Sequence, residues 1–119
     1  MVQTCQQMID VGESLGWAIN DISEACTSNL GFELCQYSPA GEDFFFCAQA
    51  DDVRGIVQDI VEYARYFDVD EHVKAVMNMR GAPSLRVLID DAEDIADMIQ
   101  KLADALIDFE EEDNGTEQS

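Results

Sequence analysis

The chain is 119 residues long and carries 26 Asp and Glu against 6 Lys and Arg, a formal net charge of −20, with no basic residue before Arg54. A field of that sign excludes a basic groove for nucleic acid, and with it direct nucleic-acid binding, and it attracts basic partners. A hydrophobic share of 47% suffices for one independent core. The reading is therefore a single compact α+β domain over 1–109, followed by an acidic, disordered tail over 110–119 with no apolar residue after Phe109.

Residues 1–28 set Cys5, Met8, Gly12, Leu15, Ile19, Ile22 and Cys26 three or four apart, the spacing of one helical face. Gly12 and Gly16 weaken that helix, and Leu15-Gly16-Trp17 marks where a first helix would end and a second begin. Ser28-Asn29 and Gly31 then supply a stop.

From Phe32 to Ala50, short aromatic-rich runs flank Ser38-Pro39-Ala40-Gly41-Glu42, in which Pro presets one turn dihedral and Gly permits a positive one. The expectation is a two-stranded antiparallel β-hairpin. Phe32, Leu34, Phe44, Phe46 and Ala48 share one face by period two and Tyr37 and Phe45 take the other, so helices should cover the ribbon on one side. Four cysteines, Cys5, Cys26, Cys35 and Cys47, lack any C-x-x-C pair, which argues against a zinc site and for small buried hydrophobes. Cys35 and Cys47 would lie nearly opposite one another in the hairpin, where oxidation would link them, although a cytosolic compartment keeps thiols reduced.

Asp51-Asp52 open the next helix, whose inner face is Val53, Ile56, Ile60, Ala64 and Phe67. A shorter helix runs from Asp70 to Met79, Gly81-Ala82-Pro83 ends it, and Ser84 caps the helix after it. Leu85, Leu88, Ala92, Ile95, Ile99, Leu102, Leu106 and Phe109 then step three and four apart along a long C-terminal amphipathic helix. Val87, Ile89, Ala96, Met98, Ala103 and Ile107 widen the stripe beyond a coiled-coil seam, which favours packing within the chain, while the 3.5-residue period also permits a homodimer through this helix.

The outward stripe of that helix holds Asp90, Asp94, Asp97, Asp104 and Asp108, interrupted by Lys101, and the N-terminal segment adds Asp10, Glu13, Asp21 and Glu24. Carboxylates three or four residues apart stand roughly 5 to 6 Å apart along a helix axis, a rod of negative charge sparser than duplex DNA at about one charge per 1.7 Å. Solvated helix faces are commonly charged. Here, however, the usual Lys and Arg partners four residues away are mostly missing, and like charges at that spacing repel. Adaptation to a high-salt cytoplasm is a second explanation of the same composition.

Catalysis has little support. The single histidine, His72, stands at a helix start without a nucleophile motif, where capping or solvation is the ordinary role. A calcium loop opening at Asp68 fails because its sixth position is Val73 and its twelfth is Met79. No cofactor motif is present. With no stretch near the roughly 20 apolar residues that span a bilayer, and no basic segment ahead of an apolar run at the N-terminus, a cytoplasmic protein is expected.

Three stretches, Tyr37-Ser38-Pro39-Ala40-Gly41-Glu42-Asp43-Phe44, Phe67-Asp68-Val69-Asp70-Glu71-His72, and Pro83-Ser84-Leu85-Arg86 leading into Leu88-Ile89-Asp90-Asp91-Ala92, resemble small acidic proteins carried on mobile elements of gut-type Firmicutes. The resemblance spans roughly residues 31 to 107 and transfers no functional residues. It implies a setting in which inhibitors of restriction and CRISPR nucleases occur, some of which look like DNA to their targets. The expected function is a non-catalytic acidic protein that binds a basic nucleic-acid-binding protein, such as a nuclease, as a DNA mimic. The alternative is a chaperone or immunity-type protein that grips one partner through an aromatic patch drawn from Trp17, Tyr37, Phe45, Tyr63 and Tyr66.

Overall fold

A computed structural model describes residues 1–80 and 85–109. The described residues form four α-helices and one three-stranded antiparallel sheet, a mixed α+β arrangement. Helix α1 (Cys5–Ser14) starts at a capping box, in which Thr4 Oγ1 accepts from the Gln7 N–H and Gln7 Oε1 accepts from the Thr4 N–H. It stops at Ser14, because Gly16 takes φ 95°, a left-handed conformation that only glycine adopts readily.

The chain does not resume as a second helix. Ala18–Asp21 form strand β1, which pairs antiparallel with β2 (Leu30–Tyr37), and β2 pairs in turn with β3 (Asp43–Ala50). The expected two-stranded hairpin is thus two strands of a three-stranded sheet with β2 at its centre. The misleading signal was the spacing of Leu15, Ile19, Ile22 and Cys26, which suits a helix but is used here by a turn, a strand and a 3-10 turn (Ser23–Ala25). Gly31 accounts for the tight return, since a Cβ there would run into Cys26 Sγ. The register also corrects the cysteine geometry. Cys35 faces Phe45 and Cys47 faces Glu33, so the two thiols are diagonal neighbours on the outer face, and both are free.

The inner sheet face carries Phe32, Leu34, Phe44, Phe46 and Ala48, all buried against helices. Helix α2 (Val53–Tyr66) is opened by Asp52, whose carboxylate accepts from the Gly55 N–H at 2.8 Å, and it lays Ile56, Val57 and Ile60 on that face. Helix α3 (Val69–Arg80) extends one residue past each end of the sequence pattern, and α4 (Leu85–Asp108) is the long helix expected there. The proposed stop at 81–83 and the cap at Ser84 lie outside the described residues, as does the tail from 110.

Ile95, Ile99, Leu102 and Leu106 of α4 are fully buried within the one chain, in the core they share with α1, α2 and the sheet. Val2 donates its N–H to the Leu106 carbonyl at 3.0 Å, closing the last turn of α4 with the start of the chain. Leu85, Val87 and Ile107, placed on the widened apolar stripe by periodicity, are 54%, 49% and 43% exposed. Among the described residues no helix is long and apolar enough to cross a membrane.

Candidate functional site

Burial of one face of α4 fixes what the other face must show. With Leu88, Ala92, Ile95, Ile99, Leu102 and Leu106 turned inward, Asp90, Glu93, Asp94, Asp97, Asp104 and Asp108 are all exposed. At the helical rise the array from Asp90 to Asp108 spans about 27 Å. Among the described residues the only Lys or Arg in an ion pair is Lys101, whose Nζ is 3.4 Å from Asp97 Oδ2. Both side chains are about two-thirds exposed or more, so this contact contributes at most about 1 kcal/mol and is screened by salt.

Helix α1 runs beside this surface. A Cβ on Gly12 would stand 3.8 Å from Leu102, and Ser14 and Leu15 share a depression with Met98 and Lys101. Asp10 and Glu13 are both exposed on α1. Two carboxylates are steadied by amides without losing charge: Gln6 Nε2 donates to Asp10 Oδ1 at 2.8 Å and Gln100 Nε2 to Asp104 Oδ1 at 2.9 Å. Asp21 and Glu24 do not join them, being placed on β1 and the 3-10 turn instead of on a helix with Asp10 and Glu13. Asp21 accepts from the Ser23 N–H at 2.8 Å, and the Ser23 hydroxyl first and this N–H second lower its pKa by favouring the ionised form.

The aromatic residues divide. Trp17 is only 3% exposed and meets Phe44 and Phe46 edge-on, so it belongs to the core and not to a surface patch. Tyr63 is half-buried, stacked on Phe46 at 4.3 Å between centroids, and burial pushes its phenol above the usual value. Tyr37 and Phe45 do stand exposed, at 69% and 58%, on the outer sheet face beside Cys35 and Cys47. Both thiols are pushed up in pKa, by burial first and by Glu33 second. Tyr66, 74% exposed, lies away from them at the end of α2.

A third constellation joins the hairpin turn to α3 and α4. Asp91, 6% exposed, accepts from Ser38 Oγ at 2.9 Å and from the Ala40 N–H at 3.3 Å. Ser38 Oγ in turn accepts from the Glu42 N–H at 2.9 Å. The Glu42 carboxyl is pushed up by burial and by a hydrogen bond to the Asp91 carboxyl, against an opposing pull from His72. His72 Nε2 stands 3.1 Å from Glu42 Oε2, close enough to pair by charge but off the line of a hydrogen bond.

By composition Asp91 is one more acid among many on α4, and the sequence does not single it out. A signal is nevertheless present, since position 91 lies three residues after Leu88 and four before Ile95, on the buried side of the helix. Ser38 is 5% exposed, and its hydroxyl donates to Asp91 while its oxygen accepts from the Glu42 N–H, which ties the turn to α4. Its chemistry is that of a clasp. Among the described residues, no group of three or more His, Cys, Asp or Glu is arranged to hold a metal ion, and residues 68–72, which opened the calcium-loop comparison, lead into α3 with Asp68 Oδ1 accepting from the Glu71 N–H. No family model, curated protein or solved structure matches this chain.

Proposed function

We propose that this protein acts without catalysis, presenting the α4 and α1 acids to a basic nucleic-acid-binding protein as a DNA-like array. One observation carries the reading: six exposed carboxylates line α4 against two exposed cations, Arg86 and Lys101, of which Lys101 alone forms an ion pair among the described residues. Ordinary helices gain a few tenths of a kcal/mol from each Glu-to-Lys pair four residues apart. A helix that forgoes nearly all of them has its charge set by something other than its own stability. The setting on a mobile element and a nuclease as target belong to the same proposal, through the resemblance of the hairpin and helix motifs.

The test is capture of partners on the immobilised protein at about 50 mM and about 500 mM salt, spanning weak and strong screening, with elution by duplex DNA. A nuclease or other DNA-binding protein held at low salt, released by duplex DNA and losing affinity in increments as Asp94, Asp97, Asp104 and Asp108 are changed to Asn, fits the mimic. Salt-resistant capture, or loss confined to one residue, contradicts it. The exposed Tyr37 and Phe45 favour a second reading, a chaperone or immunity-type protein with an apolar interface. Its binding would survive high salt and fail in Phe45→Ala.

A further inference from the structure

The open end of α2 and the start of α3 form a second feature, separate from the α4 array. Tyr63, Tyr66, Phe67, Asp68, Glu71 and His72 line a depression of about 390 Å³. The Tyr63 and Phe67 rings are 6.2 Å apart at 52°, and the Phe67 and His72 rings 5.5 Å apart at 44°, so three rings at different angles line the space, Tyr63 with one face stacked on Phe46. Tyr66 stands in solvent at its mouth. Asp68 and Glu71 are exposed on the α3 side, and Glu42 lies behind His72. Arg65 and Lys74, the cations nearest in sequence, form no ion pair among the described residues, which leaves Asp68 and Glu71 without a cationic partner, while Glu42 faces His72.

The chemistry of the lining narrows the occupant. Ring faces are electron-rich and attract a cation within about 6 Å of the centroid, and two carboxylates offer acceptors while repelling any anion. A planar guanidinium satisfies both, because it stacks on an aromatic face and donates in its own plane to carboxylates. We infer that this depression is a socket for an arginine side chain of the basic partner. The inference rests on the proposal that the partner is basic. It adds a point of shape recognition to what is otherwise a diffuse field, since a charged rod steers a partner but fixes no register.

The test titrates the full chain, ring-labelled for NMR, with arginine amide, lysine amide and sodium chloride at matched ionic strength. Saturable shifts confined to Tyr63, Tyr66 and Phe67, larger with arginine amide than with lysine amide, are expected. Tyr66→Ala, at a side chain 74% exposed, should weaken the arginine response roughly two- to fivefold, the worth of an exposed cation–π contact. Glu71→Gln should weaken it further, and the triple change of Asp97, Asp104 and Asp108 to Asn should leave it unaltered.

Shifts spread over all acidic residues, or undiminished in Tyr66→Ala, overturn the socket. Equal responses to lysine amide and arginine amide overturn its assignment to arginine. The socket and the mimic fail separately. Loss of the ring shifts with α4 substitutions still weakening partner capture sinks only the socket, and intact ring shifts with a salt-resistant partner sink only the mimic.

Discussion

Ser38 Oγ, on the turn between β2 and β3, donates to Asp91 Oδ2 on α4 across 2.9 Å, and both side chains are more than nine-tenths buried. The bond ties two elements 53 residues apart in the chain. It also decides the hairpin's tip, since the same carboxylate takes the Ala40 N–H and the same hydroxyl takes the Glu42 N–H. Asp91→Ala should therefore destabilise the fold by about 2–4 kcal/mol, because it strands a buried hydroxyl and removes hydrogen bonds to a charged group. Asp94→Ala, three residues along on the exposed face, should stay within about 0.5 kcal/mol of the parent. Urea denaturation of the two variants checks the contrast, and equal effects would deny Asp91 its role as a clasp.

Glu42 gives the fold a pH dependence of known sign. Its carboxyl is pushed up by burial and by the bond to Asp91, so the folded state holds the proton more tightly than the unfolded chain, whose glutamates titrate near about 4.3. The stabilisation is complete below that value and is lost as pH rises through the elevated folded value. Glu42→Gln imitates the protonated form and does not titrate. Its melting temperature relative to the parent should improve as pH rises from the unfolded value through the elevated folded value and then level off, whereas a constant difference would show that Glu42 titrates alike in both states.

Trp17 and Phe45 are equal candidates for a binding patch by sequence, and burial separates them. Trp17→Ala removes a ring packed edge-on against Phe44 and Phe46 and should cost about 3–5 kcal/mol. Phe45→Ala acts on a ring already 58% exposed and should cost less than about 1 kcal/mol. Thermal unfolding of the pair tests this, and comparable losses would place Phe45 in a packed environment.

Asp94→Lys sets stability against the proposed binding. A lysine at 94 lies four residues after Asp90, in the favourable order for a helix, and should add about 0.3–0.5 kcal/mol at low salt, an advantage that fades as salt rises. The same change should weaken capture of a basic partner more than Asp94→Asn does. A variant neither stabilised nor impaired would remove the argument that α4 holds its acids for binding.

Composition and local pattern by themselves determined that the chain is a polyanion, that a hairpin turns at Ser38–Glu42, that Asp52 opens a helix, and that one face of α4 is apolar and the other acidic. The physics behind these features is short-range: helical and strand periods, turn dihedrals and caps act within a few residues. Tertiary structure alone decided the rest. Ala18–Asp21 became a strand because the edge of β2 offered its backbone partners, a choice the helix-like spacing of Ile19 and Ile22 could not reveal. Asp91 went inside while Asp90 stayed out because Ser38 and Ala40, half a chain away, arrived to bond it. Tyr66, Phe67, Glu71 and His72 came to line one depression because the chain between α2 and α3 is only two residues long and folds one helix end onto the next. A carboxylate's burial and a cavity's walls depend on what packs against them, and that is information no local window contains.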